Sequence, residues 1–432
     1  MTRRLAALIG LAVAAGWVLL AMLVPTWLSF DAHVHFPPVH AEWRPRVGVG
    51  TGPAVVLALA VIGGGPRVAR RLPWRWLLVG CWFVALAWIV ALALVDGVDG
   101  LADPAVHKNE YFPTALGVGD VRAMLSDFTS RIPYQARENW PVHVAGHPPG
   151  ALLFFVGLAR LGLESGLAVG LVLCTLGATT PVAVLVALRA LGVERAARAA
   201  SPFLVLGPVA IWVGVSADGG LFAPVAAWGL ATLAVAAARR SIRLAVVAGI
   251  LLGYCAFLSY GLVLLGILAV AILVAARTWR PLVPALVAAL GVAAIFLAFG
   301  YSWPEAYGVL RVRYYDGLGG ERSYLYWVWA DLAAFVVSVG LVVGAATALL
   351  LRRLRRPGDD RPVVLLGAAA WLTVVAASLS GMSKAEVERI WVPFVPWVLV
   401  LTALLPERWQ RPAMALQAVC ALTVQHLLWP KW

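Results

Sequence analysis

Four segments of this 432-residue chain combine residue types that can do chemistry. The first runs Asn139-Trp140-Pro141-Val142-His143-Val144-Ala145-Gly146-His147-Pro148-Pro149-Gly150. Its prolines favour an extended approach and are tolerated at a helix start, where the missing N–H costs nothing. A helix N-terminus beside His147 would favour an anion, and the same segment also serves as a rigid helix start with no ligand. Upstream lie Asn109-Glu110-Tyr111-Phe112 and the acids Asp96, Asp99, Asp103 and Asp120. A carboxylate partly desolvated at the end of a membrane span rises in pKa towards the range of a general base, whereas a solvated loop acid does not.

The second segment is Ser216-Ala217-Asp218-Gly219-Gly220, in which an isolated acid opens an apolar run and reads equally as a helix cap or a site residue. The third, Lys384-Ala385-Glu386-Val387-Glu388-Arg389, packs two cations and two acids into six residues. A guanidinium at Arg389 suits a bidentate phosphate contact, with Lys384 and Glu388 beside it, although Arg, Lys and Trp391 also make an interfacial anchor. The fourth, Arg311-Val312-Arg313-Tyr314-Tyr315-Asp316, sets Arg313 and Tyr315 together as charge and aromatic face. That combination suits phosphate and sugar, or an aromatic belt at the membrane surface.

The elements that must position these residues are set by composition. Apolar residues make up 62% of the chain and charged residues 13%, against roughly 25% charged in ordinary soluble domains. The expected fold class is therefore all-α, a polytopic membrane protein whose apolar excess faces lipid. The net charge of +13 does not imply a nucleic-acid partner if it is the usual bias of Arg and Lys in membrane loops. Cys81, Cys174, Cys255 and Cys420 lie in apolar runs without C-x-x-C spacing and read as small core residues.

Hydropathy places candidate spans near 5–28, 47–65, 76–96, 166–190, 200–216, 220–238, 244–258, 261–277, 281–300, 326–351, 362–380, 391–405 and 413–429, about thirteen crossings. With the N-terminus cytoplasmic, the inner connections hold 21 of the 34 basic residues and only Glu194, Asp359, Asp360 and Glu407 among the 21 acids. This sorting obeys the positive-inside rule. It requires that the apolar stretch 148–162 does not cross, so a re-entrant or interfacial helix is expected there on the outer side. A further amphipathic helix is expected on the membrane surface between Asp120 and Ile132, from the spacing of Val121, Leu125, Phe128 and Ile132. The histidines and the three lysines, Lys108, Lys384 and Lys431, fall on or beside the outer face.

The order of these features resembles the GT-C superfamily of integral-membrane glycosyltransferases, in the branch with protein mannosyltransferases and lipid A aminoarabinose transferases. The features are acids after a span, His147-Pro148-Pro149 ending a long outer loop, and Asp218 opening a later span. The resemblance covers residues 76–240, whose large outer loop is 97–147. Residues 1–75 add two N-terminal spans, and 241–432 form a C-terminal bundle with outer loops 301–325 and 380–390. The resemblance implies a catalytic role for Glu110, with His147 and Asp218 in support. Arg389, Lys384, Glu388, Arg313, Tyr315 and His143 would bind substrate. Asn109 departs from the family's usual acidic pair, and two spans precede the loop-bearing one, so Asp99, Asp103, Asp120 and Asp31 stay open as alternative bases.

The implied activity is inverting transfer of a sugar from a polyprenyl-phosphate donor to a lipid, glycan or protein acceptor. It would take place at the extracytoplasmic face of the plasma membrane. No cofactor is expected, and a divalent metal is left open. The competing class is a transporter or flippase for a lipid-linked or small polar solute, which would place ionisable groups near the bilayer midplane.

Overall fold

The computed structural model describes residues 2–214, 216–356 and 358–430; Lys431 lies outside them. Runs of Ala, Leu and Val, straight or stiff side chains without polar atoms, fold as helices whose backbone groups are satisfied within the segment. Most of the described residues are helical. Among the described residues the strands are one three-residue pair, Ala41–Trp43 against Leu428–Pro430, antiparallel with Glu42 opposite Trp429. It ties the first connection to the end of the last helix.

Among the described residues six helices are long and apolar enough to cross a membrane: Arg3–Trp27, Thr51–Arg71, Trp74–Asp96, Gly166–Ala190, Asp218–Arg239 and Gly358–Leu379. Two bent pairs raise the number to as many as eight, Leu282–Ala298 with Trp303–Asp316 at 73° and Tyr324–Val339 with Val342–Arg353 at 107°. This is a multi-pass membrane architecture. The most apolar window of the N-terminal helix is only 17% buried within the protein, against 72% for Asp218–Arg239, so the first is peripheral and the second central.

The shorter apolar helices Ile242–Leu258, Tyr260–Ala276 and Val392–Leu404 fall below that length. The thirteen crossings read from hydropathy are thus not all matched by full-length helices. Hydropathy registers composition and does not register breaks. The expected span 200–216 is divided between Glu194–Val205, with Pro202 inside it, and Ala210–Val213. The span 326–351 is bent where Gly340 takes φ +96°.

Polar contacts tie helix ends and connections together. His426 meets Thr51 at 2.9 Å, Arg46 pairs with Asp96, and the Tyr254 hydroxyl donates to the Gly150 carbonyl at 2.8 Å. Arg198 donates to the carbonyls of Ala69 and Leu72 at 2.8 and 2.9 Å, and Arg411 to that of Gly63 at 2.9 Å. The expected non-crossing stretch is the helix Gly150–Arg160, 11 residues and about 16 Å long, too short for a bilayer core. Its first residue accepts from Tyr254, and at its other end Arg160 donates to the Gly119 carbonyl at 3.0 Å, in the long connection 97–147.

The surface helix expected at 120–132 is shorter and differently placed. It comprises Val121–Ser126 and a separate turn Thr129–Arg131, with Asp120 capping the first through Arg122 N at 2.7 Å. Its apolar face packs on protein rather than lipid, with Phe128 fully buried 5.2 Å from Trp140 and 5.6 Å from Tyr301.

Candidate functional site

Five helix ends bring their polar residues to one place. Glu110 precedes the short helix Tyr111–Leu116, and His143 lies in the helix Val142–Gly146. His147 follows that helix, in extended backbone before Pro148-Pro149 and Gly150–Arg160. Asp218 opens a π-helical turn, Asp218–Phe222, of the kind found where a helix is locally reshaped at a functional site. The turn needs its glycines, since a Cβ at Gly219 would lie 2.3 Å from the Val213 Cα. Arg389 sits in the turn Val387–Ile390.

Arg389 is the hub. Its guanidinium lies 3.6 Å from Asp218, 3.9 Å from Glu110 and 3.3 Å from Glu386. His143 stands between acid and base, with Nδ1 2.7 Å from Glu110 and Nε2 3.4 Å from Arg389. Arginine only donates, so Nε2 is the acceptor and Nδ1–H donates to Glu110. His147 Nδ1 lies 3.0 Å from the His143 carbonyl and 2.7 Å from the Tyr111 hydroxyl. A bond to that carbonyl requires the proton on Nδ1, which leaves Nε2 as the bare basic nitrogen. Tyr111 itself stacks on Phe155 at 5.5 Å and touches Phe222 edge-on.

Burial sets the electrostatics. Glu110, Asp218, Glu388 and Arg389 are 4%, 3%, 0% and 3% exposed, so partners rather than water must carry their charges. Burial alone pushes the Glu110 carboxyl up, but His143 and then Arg389 outweigh it and hold the group below its ordinary range. Of the two possibilities open from sequence, a desolvated acid raised in pKa and a solvated loop acid, Glu110 is neither: it is desolvated and lowered. Burial likewise pushes Glu386 up, yet Arg389 and Arg322 bring it down to about 2. At Glu388 backbone hydrogen bonds and Arg389 offset burial only in part, and burial pushes it up to about 7. Burial lowers His147 and favours its neutral form, against the raising effect of Asp218.

Asp218 does not cap its helix. Ser216 does so, its hydroxyl accepting from Gly219 N at 3.2 Å. One Asp218 oxygen faces Arg389, and the other has no hydrogen-bond partner among the described residues. Glu388 bonds the His40 backbone N–H at 2.8 Å, and its second oxygen is likewise unpartnered among the described residues.

Lys384 and Arg313 are not brought to the cluster as phosphate ligands. The Lys384 amine donates to the carbonyls of Gly319 at 2.7 Å and Arg322 at 3.1 Å. Arg313 donates to the carbonyls of Ile132 and Trp140 and lies over the Tyr134 ring. Tyr315 packs its ring 5.0 Å from the Lys384 amine. All three clamp loops because buried carbonyls need donors. Of the alternative bases, Asp120 is a helix cap, Asp31 accepts from the His33 backbone at 2.7 Å, and Asp99 and Asp103 lie on the helix Asp99–Val106.

Sequence reasoning left out Tyr111, Arg322 and Asp331, and passed over Glu386 as a site residue. Ala385 and Glu386 both adopt left-handed backbone, φ +68° and +64°, at a cost of about 1–3 kcal/mol each. Asp331 holds this turn through Ala385 N at 2.9 Å, and Arg322 holds it through the Lys384 carbonyl at 2.7 Å and Glu386 at 3.2 Å. Such strain persists only where surroundings over-determine it, and here it aims Glu386 and Arg389 at the other acids. A charged residue within a span, as Asp331 is, was a signal available in the sequence.

The assembly can bind an anion at Arg389 by exchange with its carboxylates, and can move a proton at Glu110 or His147. Among the described residues no three His, Cys, Asp or Glu side chains group so as to hold a metal ion. Comparison of the chain with protein-family models, with curated proteins and with solved structures gives no match.

Proposed function

We propose that this protein is a glycosyltransferase of the GT-C kind, transferring a sugar from a polyprenyl-phosphate donor at the extracytoplasmic face of the plasma membrane. The observation that carries the reading is the meeting of Glu110, His143, Asp218 and Glu386 around Arg389, with His147 and Tyr111 adjoining. The closeness of Glu110 and Asp218 also weighs against a purely structural partner in a larger complex.

The donor's phosphate competes with the carboxylates for Arg389, which weakens the hold of that cation on Glu110 and so strengthens it as a base. Glu110 then takes the proton of the acceptor hydroxyl, whose oxygen attacks the anomeric carbon with inversion. The bond from that carbon to the phosphate oxygen breaks. The departing polyprenyl phosphate keeps the electron pair, stabilised by Arg389. His143 orients Glu110 through the Nδ1–H bond. The acceptor is a lipid, glycan or protein hydroxyl.

The thirteen-pass topology, with a cytoplasmic N-terminus, is part of this reading. What supports it is the sorting of the arginines between the connections and the shortness of the helix Gly150–Arg160, 11 residues against the roughly 20 that a bilayer needs.

A transporter or flippase for a lipid-linked or small polar solute is the second reading, favoured by the burial of the ionic cluster. Cells lacking the protein separate the two. The enzyme reading expects an envelope glycan or glycolipid truncated by one sugar, restored by the wild-type gene and not by Glu110→Gln. Transport instead predicts accumulation of an intact solute on one side with every covalent product still made.

A further inference from the structure

A second cluster of cations shares no residue with this site, and nothing above uses it. A cavity of 280 Å³ is lined by Arg3, Arg352, Arg353 and Arg356, with Leu349 and Leu404 as its apolar wall. The packing of two helices builds it. Gly10 and Gly344 let Arg3–Trp27 and Val342–Arg353 touch backbone to backbone, since a Cβ at either glycine would fall 2.2 Å from the other's carbonyl oxygen. Gly10 also faces Ala348, and Gly344 faces Ala14, so the helices run antiparallel. Arg3 lies about two turns before Gly10 and Arg352 about two turns after Gly344, which brings both to one level.

The positive-inside bias explains why arginines lie at this end, but not why four share one cavity. Like charges gathered this closely repel. The dipole of Val342–Arg353 favours Arg352 and Arg353 in its last turn. Arg3, however, stands in the first turn of its helix, which holds no acid and where a cation is disfavoured. Arg353 is paired with Asp360 at 3.0 Å, which offsets one charge. Leu5 and Leu8, which follow Arg3 on its helix, and Leu351, which precedes Arg352, are 49%, 49% and 63% exposed, as lipid-facing side chains are.

We propose that this cavity is a binding site for a phosphate-bearing anion, with arginine forks holding the phosphate oxygens. The exposed leucines favour the headgroup of an anionic lipid in the adjoining leaflet over free phosphate. The site is independent of the glycosyltransferase reading.

Thermal unfolding and lipid retention of the purified full-length protein in zwitterionic detergent test it, with three additions: phosphatidylglycerol, phosphatidylcholine and inorganic phosphate. The variants are Arg352→Gln/Arg353→Gln/Arg356→Gln and, as a control of equal charge change at another connection, Arg239→Gln/Arg240→Gln/Arg243→Gln. Phosphatidylglycerol is expected to stabilise the wild type and the control, and to bind the first variant about 100-fold more weakly. Phosphatidylcholine reports whether each variant is folded. Arg3→Gln/Arg356→Gln, which keeps the Arg353–Asp360 pair, repeats the comparison if the triple variant does not fold. Equal stabilisation by inorganic phosphate, lost in the same variant, supports the site with free phosphate as its source. Equal losses in control and test variants, or no preference over phosphatidylcholine, overturn the proposal.

Discussion

Arg389 carries its charge among three carboxylates, so exchange of partners is easier at this residue than loss of its proton. The side chain's two roles separate by substitution. Arg389→Ala leaves Glu110, Asp218 and Glu386 without their shared cation, a buried imbalance worth roughly 3–5 kcal/mol of stability. Arg389→Lys keeps the charge but not the fork, so it should melt near the wild type while losing donor affinity and turnover together. Melting curves beside transfer kinetics check both, and normal kinetics in the Lys variant would remove Arg389 from donor binding. Glu388 gives a prediction in pH. Burial raises it from 4.5 to about 7, so its contribution to stability is full below its unfolded value and is lost as pH rises through about 7. Glu388→Gln has no such loss. At pH 8 it should be the more stable by about 3 kcal/mol, with the gap closing at pH 5. Parallel melting curves for the two proteins across that range would contradict the assignment.

Position at the ends of apolar runs made His143, His147, Asp218 and Arg389 stand out in the sequence, whereas Glu110 stood out among the loop acids only through the resemblance; the structure brings the five together. The depressed pKa of Glu110 was not readable, because its sign depends on His143 and Arg389, 33 and 279 positions away. Tyr111 carried no signal either, since a lone aromatic beside an apolar run reads as core.

Among the elements, the turn at Lys384–Glu386 is the one whose shape the site depends on most. Its left-handed residues are held by Asp331, Arg322 and the Lys384 amine, so Lys384→Met should leave the Gly319 and Arg322 carbonyls without their donor. The expected cost is about 1–3 kcal/mol, with kcat falling through misplacement of Arg389 and recovering in part in Lys384→Arg. Loss of stability with kcat unchanged would make the turn a purely structural clamp. The long helices were legible from hydropathy and their breaks were not. Pro202, Gly340 and the short helix Ala210–Val213 interrupt runs that remain uniformly apolar in composition. The helix Gly150–Arg160 was found through charge parity and length together, where hydropathy alone would have counted another span.

At the scale of the whole molecule, both readings of function depend on which side of the membrane the Arg389 cluster faces. Single cysteines at Arg195 and at Gly119, in a background lacking the four native cysteines, should label oppositely with an impermeant outer reagent. Gly119 should react and Arg195 should be protected, and labelling of Arg195 would overturn the topology. The most direct test of the account is transfer itself, measured with purified protein in liposomes given a radiolabelled polyprenyl-phosphate sugar and a crude acceptor extract. The wild type should form labelled product, and Glu110→Gln, which keeps shape but lacks the basic oxygen, should be slower by about 10² to 10⁴ while still binding donor. Wild-type rates from Glu110→Gln would move the base to another residue, and an inert wild type with every polyprenyl donor tried would contradict the glycosyltransferase assignment.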